Sequence, residues 1–374
     1  MRTRAGMWCA GLAAVLLIPA TPAASSVAAP PGPVDRHPAP LNLQPRPGRL
    51  TMMNGRGDLV GSVDGSTPVG VGEWRRSGPF LSLGPDDEIY LRDMNDRGHL
   101  IGDDGRVPHG DTLWHNGETV SLSMAGTVVW AAAVSNRDQV VGDLSVIDGP
   151  GLQAFSWQHG AFTRLPTPQG WSSYAVDVND RGQVLGMLAD SDWSSMHGAV
   201  WDHGRLTVVG ELNGPDTSVR AINNRGQVIG ISDGRPFLWA DGRMRDLLAG
   251  TDATTGYTRS INDSGLVTGE ADFRPVVWTG EGMRYLLPAG YSGDEKCLNR
   301  RGDVAGTMYP GSEPDPQKTL LFRWRDGVVT YYGAPAGSQA GLLGMDEHGR
   351  LVGAVTSEQG VRQWVSWAPG KAVQ

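Results

Sequence analysis

The 374-residue sequence has only two cysteines, Cys9 and Cys297. Cys9 falls within an N-terminal leader, so the remaining thiol has no partner and stability must come from a core rather than from disulfides. There is no basic run: 32 Lys and Arg stand against 40 Asp and Glu, a formal charge of −8, which argues against nucleic acid or anionic lipid as the main partner. The extended apolar run at 9–20 (CAGLAAVLLIPA) is too short for a membrane span, which needs ~20 residues. Following Arg2 and Arg4 and preceding small residues, it has the pattern of a Sec-type signal peptide ending at about residue 29. The expected product is secreted and has no membrane span. Prolines 30, 31, 33, 38, 40, 45 and 47 then make 30–49 a stiff linker.

Motifs of catalysis are equally scarce. No Gly-x-Ser-x-Gly elbow occurs, and no calcium loop. The histidines at 37, 99, 109, 115, 159, 197, 203 and 348 show no metal-ligand spacing along the chain. No cofactor, metal or catalytic residue is therefore expected from the sequence. Arg56-Gly57-Asp58 and Arg301-Gly302-Asp303 are by-products of a repeat rather than adhesion signals.

That repeat dominates residues 50–374. The pattern Asn-x-x-Gly-x-(Val/Leu)-x-Gly begins at Asn54, Asn95, Asn136, Asn179, Asn223, Asn262 and Asn299, with an eighth copy at Asp346. A tryptophan trails each copy: Trp74, Trp114, Trp157, Trp201, Trp239, Trp278, Trp324 and Trp367. Asn-x-x-Gly reads as a hairpin turn with glycine in the left-handed conformation. In the third copy Asp138 takes the place of that glycine. The pairs Asn116-Gly117, His159-Gly160, His203-Gly204, Asp241-Gly242 and Asp326-Gly327 suit two-residue type I′ turns. Each unit then holds four short antiparallel strands, a to d. If Asp233-Gly234 closes the b–c hairpin, Trp239 faces Val228 and Phe237 faces Gly230; likewise Trp278 faces Val267 and Val276 faces Gly269. The repeated glycine would leave room for the large neighbour.

A unit of ~40–45 residues cannot bury both its faces, but units stacked around an axis can. The fold expected is an all-β propeller of eight four-stranded blades, with seven as the alternative, forming one domain over 50–374. Residues 41–44 are placed to complete the last blade. The Asn, Gly and Trp of the repeat are read as structural.

The repeat resembles that of the HAF family of probable extracellular repeat proteins, which pairs Ile-Asn-x-x-Gly-x-Val-x-Gly with His-Ala-Phe-x-Trp. Ile222-Asn223-Asn224-Arg225-Gly226-Gln227-Val228-Ile229-Gly230 matches the first stretch. Gln153-Ala154-Phe155-Ser156-Trp157 and Arg235-Pro236-Phe237-Leu238-Trp239 match the second. The resemblance implies an exported repeat protein and carries no established activity.

In such a blade the a–b and c–d turns lie on one face, and the b–c and d–a loops on the other. The first set repeats closely and the second varies, so function is expected on the b–c/d–a face, around the mouth of the central channel. That face carries Trp171, Trp193, Tyr257, Tyr291 and Tyr309, and the acids Asp86, Asp87, Glu88, Asp216, Asp252, Asp294 and Glu295. Trp171, Trp193, Tyr257, Tyr291, Asp216 and Asp294 are the candidate ligand-binding residues. Rings beside carboxylates suit an extracellular glycan or protein bound by a non-catalytic monomer. The alternative is an extracellular hydrolase or lyase acting on a polysaccharide at the channel mouth, with an acid pair drawn from different blades.

Overall fold

The computed structural model describes residues 32–65, 70–85, 89–105, 107–146, 151–212, 214 and 216–369. The expected signal peptide, 1–29, the acids at 86–88 and the last residues, 370–374, lie outside them. The described chain is all-β, with eight blades whose strands are hydrogen-bonded in sequence order. Inner strands a are Pro47–Met53, Tyr90–Met94, Thr127–Val134, Ser172–Val178, Thr217–Ile222, Gly256–Ile261, Tyr291–Leu298 and Ser338–Met345.

Two N-terminal segments lock the ring. Ala39–Pro40 pairs antiparallel with Val365 and Ser366, and the Leu41 N–H donates to the Trp364 carbonyl at 3.0 Å. This supplies the missing outer strand of blade 8, two residues earlier than expected. Leu41 and Leu43 instead pack into the apolar cluster between blades 8 and 1. Val34–Asp35 adds a fifth, parallel strand to blade 7. The segment read as a spacer is thus paired to the propeller from Val34 onward.

The tryptophans occupy equivalent places. All eight are at most 9 % exposed, and each pairs with the Leu or Val two residues before the repeated glycine of strand b. The expected pairs Val228–Trp239, Gly230–Phe237, Val267–Trp278 and Gly269–Val276 all form. Apolar clusters then fill the spaces between neighbouring blades, as where Ile101 and Leu113 of blade 2 meet Val129 and Val140 of blade 3.

The repeated glycine has a further reason. Every inner strand carries a bulge at its third residue before the a–b turn, as between Val219 and Ala221. The bulge pushes the preceding carbonyl against strand b. A Cβ on Gly230 would lie 2.1 Å from the Ser218 oxygen, against 2.9 Å from the Phe237 ring. In the other seven blades the same oxygen would be met at 1.9–2.3 Å. Backbone crowding, more than the cross-strand ring, demands glycine here.

The a–b turns interlock the blades. The Asn223 Oδ1 accepts the N–H groups of Arg225 and Gln227, both at 3.0 Å, while its Nδ2 donates to the Asn262 carbonyl at 2.9 Å. Asn54, Asn95, Asn179, Asn262 and Asn299 donate in the same way to the next blade's turn. The third copy starts at Ser135, not Asn136: Ser135 N–H donates to the Gln139 carbonyl in the turn's closing bond, and its Oγ accepts from Arg137 and Gln139. Asp138 then falls at the glycine position, with φ 63°.

Candidate functional site

The a–b face of the channel has two cavities, of about 500 and 270 Å³, lined chiefly by inner-strand ends and a–b turns. Its polar groups are engaged in joining blades. The Asp96 carboxylate accepts the Gly55 N–H, Asn136 that of Asp96, Asp180 that of Asn136, Asn224 that of Asp180, and Asp263 that of Asn224, at 2.7–2.9 Å. Arg300 closes the set with an ion pair to Asp96.

The opposite face has a different character. Strand a begins at the d–a loop, so its early residues lie near this face. The position five before the turn residue is aromatic in four blades: Tyr90, Trp130, Tyr174 and Tyr257. Tyr90 is 68 % and Trp130 54 % exposed. Two more rings stand on b–c turns, Trp193 at 45 % and Phe273 at 82 % exposure. Both have left-handed backbones, φ 62° and 61°, unfavourable for bulky residues. Tyr285, at the d–a end of blade 6, completes the set of exposed aromatics among the described residues. A cavity of about 410 Å³ between blades 1 and 2 is lined by Arg49, Ile89, Tyr90 and Leu91, among others.

Two residues further along strand a, the bulge carries a cation in four blades: Arg92, Arg220, Arg259 and Lys296. The Arg92 guanidinium lies 4.4 Å from the Trp130 ring centroid and 2.5 Å from Asp111. Arg259 gathers a cluster across blades 6 and 7: Asp294 at 2.7 Å, Glu295 at 2.9 Å and the Tyr257 hydroxyl at 3.1 Å. Its Nε–H is not aimed at Glu295, so that contact is an ion pair without a directed hydrogen bond. Tyr257 donates to Glu270 at 3.0 Å, and Thr268 donates to Glu295 at 2.6 Å. Burial raises the Glu295 carboxyl to about 7, with Asp294 adding to the rise and Thr268 and Arg259 opposing it. Desolvation also raises Tyr257.

The candidate residues divide accordingly. Tyr257 and Asp294 meet through Arg259, a residue the sequence had not singled out. Trp193 stacks on Tyr174, with centroids 6.2 Å apart and planes at 27°. Trp171 is half-buried and packs beside His197 at 5.4 Å. The two pairs flank opposite sides of blade 4, toward blades 5 and 3 respectively. Asp216 is exposed in the loop before blade 5, where its carbonyl accepts the Asp233 N–H. Tyr291 corrects the expectation: at 7 % exposure it packs among Leu286, Leu287 and Met308 in the core between blades 6 and 7. The alternation of strand a turns its ring inward. Phe273 and Trp130 were missed, the first because a two-residue turn does not require an aromatic. The histidines, unrelated along the chain, include two that meet in space, His99 and His115, beside Asp138.

No family model matches the sequence, and no curated protein matches it. Among solved structures, Porphyromonas gingivalis dipeptidyl peptidase 4 is similar over 86 % of this chain and 60 % of its own, at 10 % identity and a TM-score of 0.57. The β-propeller domain of the trilobed protease from Pyrococcus furiosus, described as having an open velcro topology, is similar over 76 % of this chain and 98 % of its own, at 10 % identity and 0.46. Virginiamycin B lyase from Staphylococcus aureus is similar over 75 % of this chain and 96 % of its own, at 9 % identity and 0.44. Several matched peptidases are longer: the chain spans about half of an acylaminoacyl peptidase from Pyrococcus horikoshii. At these identities the likeness concerns the propeller fold.

Proposed function

We propose that this propeller is exported through its N-terminal leader and binds an extracellular glycan or protein, without catalysis, on the b–c/d–a face. One observation carries the reading: Tyr90, Trp130, Trp193, Phe273 and Tyr285, the exposed aromatics of the described chain, all belong to that half of the disc. Exposed rings sacrifice burial worth about 1.5–3 kcal/mol each, and two of them also sit on strained backbone. Flat rings interleaved with Arg259, Asp294 and Glu270 match the stacking and hydrogen bonding that sugar rings require. Arg220, exposed at the bulge of blade 5 and without an ion pair among the described residues, would receive an acidic group of such a ligand.

The hydrolase or lyase reading draws on Glu295, a carboxyl raised to about 7 beside Asp294. Comparable shifts at Glu73, about 7, and at Asp143 and Asp177, about 6, also follow mainly from burial. They are spread over blades 1, 3 and 4, so a raised carboxyl is a habit of this fold rather than the mark of one centre.

The test is a screen of the secreted chain against arrayed bacterial, plant and animal extracellular glycans and surface proteins. Each hit is repeated with Trp193→Ala and Phe273→Ala. Binding that weakens at least tenfold in either variant, with no turnover of the ligand, is expected. Binding untouched by both, or ligand cleavage abolished by Glu295→Gln, overturns the proposal.

A further inference from the structure

At the junction of blades 2 and 3, histidines at two variable positions of the repeat meet the one turn that lacks its glycine. His99 stands four residues after Asn95, where blades 3 to 5 have Gln139, Gln183 and Gln227. His115 follows Trp114, where blade 4 has Asp202 after its tryptophan. Asp138 occupies the left-handed turn position that is glycine in the other seven blades. In blade 4 the equivalent residues form an ordinary pair, the Gln183 amide donating to Asp202 at 3.1 Å. In blade 7 they are Asp303 and Arg325, 3.6 Å apart.

We propose that His99, His115 and Asp138 form a binding site for a divalent transition-metal cation of the zinc class. One ligand atom from each residue lies within 4.8 Å of the other two. His99 Nδ1 is 2.5 Å from Asp138 Oδ1, His115 Nε2 is 3.8 Å from Asp138 Oδ2, and the imidazole centroids are 4.2 Å apart. Tetrahedral coordination with bonds of ~2.0–2.2 Å places ligand atoms about 3.3 Å apart, so shifts below 1 Å suffice. Two imidazoles and a carboxylate are the donor set that zinc-class ions prefer over calcium or magnesium, and three ligands leave one position for water.

The surroundings fit a cation. The His99 ring is 3 % exposed, while His115 and Asp138 are 36 % and 20 % exposed, leaving an approach from solvent. Both ring nitrogens of His99 face oxygen acceptors, Asp138 at Nδ1 and Asn116 Oδ1 at 3.3 Å from Nε2. A cation bound at Nδ1 uses the Nε2–H tautomer of His99, for which Asn116 Oδ1 is the acceptor, the outer-shell arrangement that orients a ligating histidine. A proton resting on Nδ1 in the free protein passes to solvent as Nε2 takes one up. Asn95 Nδ2, 3.3 Å from Asp138 Oδ1, holds the carboxylate from the other side. Arg97, the one cation paired to the site among the described residues, reaches Asp138 Oδ2 at 3.4 Å from a side chain 50 % exposed. Such a surface pair is weak and free to swing away. A bound ion would clamp blade 2 to blade 3 on the a–b/c–d face, opposite the aromatic rim.

The experiment uses the full secreted chain stripped with EDTA and titrated with Zn²⁺ by calorimetry, with Co²⁺ absorption reporting coordination. Asp138→Gly and His99→Gln restore residues that the repeat uses elsewhere, so both should fold. The expected result is one Zn²⁺ per chain, a tetrahedral Co²⁺ band and a higher Tm. Affinity should fall at least tenfold in Asp138→Gly, in His99→Gln and in His115→Ala, but stay unchanged in His203→Gln. Absence of a stoichiometric site, or a loss below tenfold in Asp138→Gly, overturns the proposal.

Discussion

The side-chain amide of Asn223 spans two blades: its Oδ1 closes its own turn while its Nδ2 donates to the carbonyl of Asn262, 2.9 Å away. Made by six of the eight turns, this bond couples each of those hairpins to the next.

Asn223→Ala removes the acceptor of two turn N–H groups and the donor to a buried carbonyl. A buried group left unpaired costs about 1–3 kcal/mol, so a destabilisation of about 2–4 kcal/mol is expected by urea unfolding. A change under 1 kcal/mol would show that the ladder is incidental.

The third blade lacks this rung, because Ser135 has no amide to donate. Ser135→Asn should supply a bond to Asn179 and raise stability by about 0.5–1 kcal/mol, the usual gain from a repeat-restoring substitution. A lower denaturation midpoint would contradict the assigned register.

Gly230→Ala should be far worse than its chemistry suggests, since the new methyl meets the Ser218 oxygen at 2.1 Å. A loss above about 3 kcal/mol, or failure to fold, is expected. Gly280→Ala, where nothing lies within 4 Å, serves as the near-neutral control. Equal effects at the two positions would remove the bulge explanation.

Much of this order is visible in one dimension. The spacing of Trp239 to Gly230 and Val228 fixes a hairpin register, because pairing within this hairpin joins residues no more than eleven apart. The aligned tryptophans likewise require equivalent blades. Contacts between blades left weaker traces. Ser135 stands directly before Asn136, so a one-residue shift in the third copy hides behind the more familiar asparagine. The carbonyl that crowds Gly230 belongs to a bulge, and a bulge leaves no composition signal. Tyr291 reads as a loop aromatic until strand alternation buries it. His99, His115 and Asp138 come from two blades and three turns, and only the folded disc brings them together.

Burial raises the Glu73 carboxyl to about 7, with Arg75 opposing the rise. A carboxyl whose folded pKa exceeds its unfolded value of ~4.3 favours the fold when protonated. Its contribution is therefore fully present below about pH 4.3 and lost as pH rises from there through about 7. Glu73→Gln should flatten the fall in stability between pH 5 and 8, by about 1–3 kcal/mol at the upper end. An unchanged pH slope, measured by chemical denaturation, would contradict this.

Hydrogen–deuterium exchange of the ligand-bound chain tests most directly that the variable face is the binding face. With a hit from the glycan and protein screen at saturation, protection is expected in the b–c segments 190–195 and 271–274 and at the start of the inner strands around 90 and 257. Turns 95–98 and 223–226 should exchange as in the free protein. Protection confined to those turns, with 190–195 and 271–274 unchanged, would place recognition on the opposite side of the disc and contradict the account.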